Sequence, residues 1–169
     1  FQHDPHISIE TASGIVKGRV LEDRPDRVEL ALFHKGKDNY QYDHKVIKTE
    51  HHTFELYYLN TGVPHAVLEV KDIFSYPINQ VGKEIMHHPA FGPKGTNVTF
   101  FQRLIGKRIR ATTFERGVEA ETMACGTGVA AAAIVFAEVY HQALPIDVVV
   151  PGGELTVDLS PVSSMILLQ

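Results

Sequence analysis

The sequence predicts an α+β domain in which a mixed, mostly antiparallel sheet wraps around a central buried helix. Three observations carry that expectation. Short β-rich runs recur along the 169 residues, separated by clusters of Gly, Pro and Asp that turn a chain. One segment, Val129 to Ala137, is apolar on every face and includes four consecutive alanines, so protein must surround it. The composition, 44% hydrophobic and 21% charged, is that of an ordinary globular domain.

The elements follow in order. Ile7 to Thr11 and Ile15 to Val20 form a hairpin about Ala12-Ser13-Gly14, and Val28 to Phe33 adds a strand after Asp23-Arg24-Pro25-Asp26. Lys35 to Tyr42 is polar and glycine-bearing, and is the expected linker. Phe54 to Leu59 and Ala66 to Val70 are strands joined by the loop Asn60 to His65. Ile78, Val81, Ile85 and Met86 follow Pro77 at helical spacing, which predicts an amphipathic surface helix. Asn97 to Gln102 and Arg108 to Phe114 are strands, and the buried helix runs from Gly126 to His141. Ile146 to Val150 and Leu155 to Leu159 make a hairpin about Pro151-Gly152-Gly153, and Met165 to Leu168 is a last strand.

Charge and cysteine content narrow the function. A net charge of −4 gives no electrostatic reason to expect nucleic acid or an anionic membrane. The longest apolar run is about half the roughly 20 residues that a membrane span needs. The single cysteine excludes an internal disulfide and a cysteine-based zinc site. Among ten histidines, the neighbours His51-His52 and His87-His88 point apart and chelate poorly, so no metal is expected.

That cysteine stands in Ala124-Cys125-Gly126-Thr127-Gly128, directly before the buried helix. The first N–H groups of a helix lack internal partners and carry partial positive charge, and the glycines leave them accessible to a carboxylate. The same field favours a thiolate, which suits proton abstraction beside a bound carboxylate. An inert cysteine packing a helix end reads the same from position alone. Glu115 and Arg116 end a strand and open a loop whose other end is Cys125, so they can lie near the thiol; an exposed ion pair is the plainer reading. His65 and Asn97 lie where loops meet strands. Gly126-Thr127-Gly128-Val129-Ala130-Ala131 matches a dinucleotide-binding turn, but polar Glu119 to Met123 replaces the apolar strand that such a turn requires.

Together these segments resemble the diaminopimelate epimerase family. The resemblance is carried by Phe114-Glu115-Arg116-Gly117 through Glu121-Thr122-Met123-Ala124-Cys125-Gly126-Thr127-Gly128. Thr61-Gly62-Val63-Pro64-His65, His88-Pro89-Ala90-Phe91, Gly95-Thr96-Asn97-Val98 and Val150-Pro151-Gly152-Gly153 support it in order and spacing. The resemblance implies two similar domains with the active site between them, this chain supplying the last strands of the first (1–33) and the whole second (34–169). It opens on Phe1 and is expected to lack an upstream half that carries another thiol in a Cys-Gly-Asn-Gly segment.

The implied reaction inverts the α-carbon of LL-diaminopimelate to the meso form without a cofactor, one thiolate removing the α-proton while a second thiol delivers another from behind. Cys125 matches one of those thiols, Glu115 and His65 its partners, Gly126 and Thr127 the α-carboxylate site, and Asn97 and Arg116 contacts to the distal end. The implied partners are the amino-acid substrate and the missing half, with a homodimer left open, in the cytoplasm and in lysine biosynthesis. Val63 stands where many members have Asn, so distal recognition is expected to be looser. Two other readings fit the same residues: an amino-acid-binding half-enzyme that inverts nothing, and a related cysteine-dependent racemase that accepts shorter acids such as glutamate.

Overall fold

Strand edges that lack a partner expose unpaired N–H and C=O groups, and this chain resolves that cost by joining its strands into one ordered sheet. The computed structural model describes residues 5–11, 14–32, 42–160 and 165–169. Along the sheet the order is β1 (His6–Thr11), β2 (Gly14–Val20), β3 (Val28–Leu32), β12 (Ile166–Leu168), β11 (Gly153–Leu159), β10 (Ile146–Val150), β8 (Arg108–Glu115), β7 (Asn97–Arg103), β6 (Pro64–Glu69), β5 (Thr53–Asn60) and β4 (Asp43–Lys48). The short β9 (Ala120–Glu121) pairs with β8 off this path. Two of these pairings, β6 with β7 and β8 with β10, are parallel; the others are antiparallel. The sheet is therefore mixed and mostly antiparallel, as expected.

All the predicted strands and both helices form. The linker expected at 35–42 lies, up to residue 41, outside the described residues, as does the boundary placed between 33 and 34. Sequence reading missed β4, because only Ile47 of its six side chains is buried and the rest read as polar loop. Helix α1 (Ile78–Met86) begins after Pro77 and buries Ile78, Val81, Gly82, Ile85 and Met86. Helix α2 (Gly126–Val139) ends two residues before the predicted His141, which adopts a φ of 51° that a helix cannot continue.

The central strands alternate strictly, so each of their faces meets one helix. Val67, Phe101, Ile109 and Ala111 pack with α2, together with Val148, Val157 and Ile166 from further along the sheet. Ala66, Leu68, Val98, Phe100 and Phe114 point the other way and pack with α1. Helix α2 is buried from Gly128 to Phe136 and contacts β5, β6, β7, β8, β10, β11 and β12. Ala130 to Ala133 are fully covered, and only side chains this small let strands approach from several directions. A larger residue there would overpack the site at a cost of about 1–3 kcal/mol.

Candidate active site

The α2 face departs from its apolar pattern at one end. Where alternation calls for hydrophobic residues, β6 places His65, β7 places Thr99 and β8 places Thr113. All three are covered: His65 and Thr99 are 0% exposed and Thr113 is 3%. Register brings them together, since Thr99 pairs across from Thr113 and His65 lies level with Asn97. The first turn of α2 sits directly on this patch. Gly128 permits that approach, because a Cβ there would collide with Thr113 Oγ1 and stand 3.0 Å from Thr99 Oγ1 and 3.2 Å from His65 Cε1.

A continuous hydrogen-bonded chain results. Thr113 Oγ1 lies 3.1 Å from Thr99 Oγ1, which lies 2.9 Å from His65 Nδ1. His65 Nε2 is 3.0 Å from Thr127 Oγ1, which is 3.4 Å from Cys125 Sγ. Cys125 is the half-buried N-cap of α2, so the amides of Gly126 and Thr127 open the helix without intrahelical partners. Thr61 steadies this end by donating to the Thr127 carbonyl at 2.8 Å.

Glu115 ends β8 on the same side and accepts a 2.6 Å hydrogen bond from Thr122 Oγ1. The Thr122 N–H donates to the Thr113 carbonyl, and the Gly152 N–H to the Met123 carbonyl, which pins the loop leading to Cys125 at both flanks. A crevice beside the thiol is lined by Thr113, Thr122, Ala124, Val150 and Pro151.

Asn97 and Arg116 stand at the neighbouring strand ends. Asn97 Oδ1 accepts the Arg116 N–H at 2.9 Å, and its Nδ2 donates to the Pro64 carbonyl at 3.2 Å. One amide hydrogen and one oxygen lone pair remain for another partner. The exposed Arg116 guanidinium donates to the Lys94 and Gly95 carbonyls. Every predicted site residue therefore gathers around the N-terminus of α2, but His65 reaches the thiol through the Thr127 hydroxyl. Sequence reading missed Thr99, Thr113 and Thr122. The signal available for the first two was a threonine at an inward strand position flanked by Val98, Phe100 and Phe114.

The electrostatics correct one expectation. The thiol's pKa lies above its ordinary value, because burial raises it most and the Glu115 carboxylate adds to that rise. Thr127 and the Gly128 N–H pull it down, as a helix N-terminus should, but do not win. Cys125 thus rests as a thiol. Burial, aided by Arg116, pushes His65 down to about 3, so its ring is neutral at neutral pH. Among the described residues no three His, Cys, Asp or Glu side chains converge to hold a metal. No helix among them is long and apolar enough to cross a membrane.

The fold is similar to those of two solved proteins described as a racemase and an epimerase. It aligns with a probable proline racemase from Agrobacterium radiobacter solved with bound carbonate, at TM-score 0.65 and 18% identity over 99% of this chain and 58% of that one. It also aligns with a hydroxyproline epimerase from Agrobacterium vitis, at TM-score 0.59 and 21% identity over 99% of this chain and 57% of that one. At the level of sequence, residues 57–167 match the family model described as diaminopimelate epimerase, and the chain belongs to that family. Curated diaminopimelate epimerases from a Hydrogenobaculum species and from Aquifex aeolicus are each 37% identical to it, over 88% and 91% of this chain. The chain spans about half the length of these relatives, 53% and 54%.

Proposed function

We propose that the complete protein is a diaminopimelate epimerase that inverts the α-carbon of LL-diaminopimelate to the meso form without a cofactor, Cys125 being one of two proton-carrying thiols. The observation that carries this reading is the thiol's position, at the N-cap of a buried helix with the Glu115 carboxylate beside it. In one direction the resting Cys125 thiol delivers its proton to the α-carbon after a thiolate on the opposite face has removed the original one. In the other, the Cys125 S–H bond breaks toward Glu115, and the resulting thiolate takes the α-proton. The Gly126 and Thr127 amides receive the α-carboxylate, and the helix field offsets the charge that develops as the carbanion forms. Asn97 and Arg116 contact the distal amino-acid group.

In this reading residues 1–33 are the last strands of a first domain and 34–169 a second, whose sheet closes around α2. The facing thiol comes from the part of the relatives' length that this chain does not span. In this reading the enzyme serves lysine biosynthesis in the cytoplasm. The test is incubation of the complete protein with LL-diaminopimelate in heavy water, without pyridoxal phosphate. Meso product carrying solvent deuterium at the inverted carbon is expected. Inversion without deuterium, or none until pyridoxal phosphate is added, would overturn it.

A further inference from the structure

We infer that Thr113 and Thr99 are positioning residues that lock His65 as its Nε2–H tautomer, so that the Thr127 hydroxyl donates to the Cys125 sulfur. This rests on the reading of Cys125 as a proton-carrying thiol and gives roles to Thr113, Thr99 and His65, which the reaction scheme above leaves unused. The argument is an accounting of hydrogens. A buried O–H without an acceptor costs more than a buried oxygen with a spare lone pair. Among the described residues Thr113 Oγ1 has one hydrogen-bond partner, Thr99 Oγ1 at 3.1 Å, so its hydrogen points there. Thr99 then spends its own hydrogen on His65 Nδ1. With Nδ1 an acceptor, a neutral ring carries its hydrogen on Nε2 and donates it to Thr127 Oγ1. The Thr127 hydrogen is left to donate to Cys125 Sγ. Run backwards, the same chain would end on a buried Thr113 hydrogen with no acceptor among the described residues.

Polarity has a chemical consequence. A sulfur that accepts from Thr127 is stabilised as a thiolate, whereas one obliged to donate to Thr127 is held as a thiol. The fixed direction therefore supports the ionised half of the Cys125 cycle and leaves Glu115 as the acceptor for the thiol's own hydrogen. His65 takes part as a neutral donor rather than as a base, consistent with the burial that keeps it uncharged.

Nitrogen-15 spectra of the complete wild-type protein, selectively labelled in histidine, test this without any variant: His65 should show a protonated Nε2 and a bare Nδ1. The second arm follows alkylation of Cys125 by iodoacetamide against pH, read by mass spectrometry of its peptide. Thr113→Val should move the midpoint up by about 0.5–1 pH unit, the worth of one hydrogen bond, and Thr113→Ser should return it. An Nδ1–H or charged His65 in the wild type, or coincident profiles for wild type and Thr113→Val, would overturn the inference. The spectrum needs no turnover. A protein that inverts nothing yet shows the Nε2–H ring upholds this inference and overturns only the proposed reaction.

Discussion

The two faces of the central strands solve different problems with the same backbone. Facing α1, Ala66, Leu68, Val98, Phe100 and Phe114 supply an apolar surface in which, among the described residues, Thr112 is a lone polar side chain, its hydroxyl donating to Glu121 at the edge. Facing α2, the same three strands end in His65, Thr99 and Thr113, which are equally buried yet must satisfy one another. The contrast separates residues kept for stability from residues arranged about a thiol.

The largest effect that would break this contrast lies on the apolar face. Phe100→Ala should cost about 3–5 kcal/mol of stability in chemical denaturation while leaving kcat near wild type wherever the variant is folded. A matched glycine pair sharpens it. A Cβ at Gly82 would stand 2.6 Å from the Phe114 ring, and one at Gly128 would strike Thr113. Gly82→Ala and Gly128→Ala should each cost about 1–3 kcal/mol, but only Gly128→Ala should also depress kcat in the folded fraction.

The buried histidine gives the α2 face a pH signature. His65 has a folded pKa near 3, below its ordinary 6.5, so the unfolded chain binds the proton first as pH falls. Its contribution to stability is therefore lost on acidification from 6.5 towards 3, by up to about 1.4 kcal/mol per pH unit. Unfolding free energies measured across that window should show a shallower slope for His65→Gln. The smallest effect concerns Val63 at the site's edge. Val63→Asn should raise the kcat/KM ratio of diaminopimelate to glutamate by up to about tenfold, the value of one added hydrogen bond. An unchanged ratio would remove Val63 from substrate recognition.

Part of this arrangement could be read before the structure. β6, β7 and β8 were legible as strands and the alanine run of α2 announced a helix enclosed by protein. The division of the strand side chains between two faces was not legible, because Ala66-Val67-Leu68 and Phe100-Phe101 are apolar without alternation. Cys125, Glu115, His65, Asn97 and Arg116 stand at strand or helix ends where loops converge, which by position alone left plainer readings open; the resemblance to the family marked them as site residues. Strand β4 was not legible, since an edge strand with one buried side chain carries almost no hydrophobic pattern. Thr99 and Thr113 were hidden for a different reason: threonine is at home in strands, so only register and the position of α2 reveal that these two face a histidine. The direction of the thiol's pKa shift was beyond sequence too. The helix field is local and predictable, whereas the burial and the Glu115 carboxylate that outweigh it come from tertiary packing.

The central claim is that the thiol at the N-cap of α2 carries a proton during inversion. The direct measurement is solvent exchange of the diaminopimelate α-proton by the complete protein and by its Cys125→Ala variant, at a temperature where circular dichroism shows both folded. Loss of exchange and inversion by about 10²–10⁴-fold, the usual weight of a general acid–base group, is the expected result. Exchange and inversion within a few-fold of wild type would contradict it and leave Cys125 as a packing residue at a helix end.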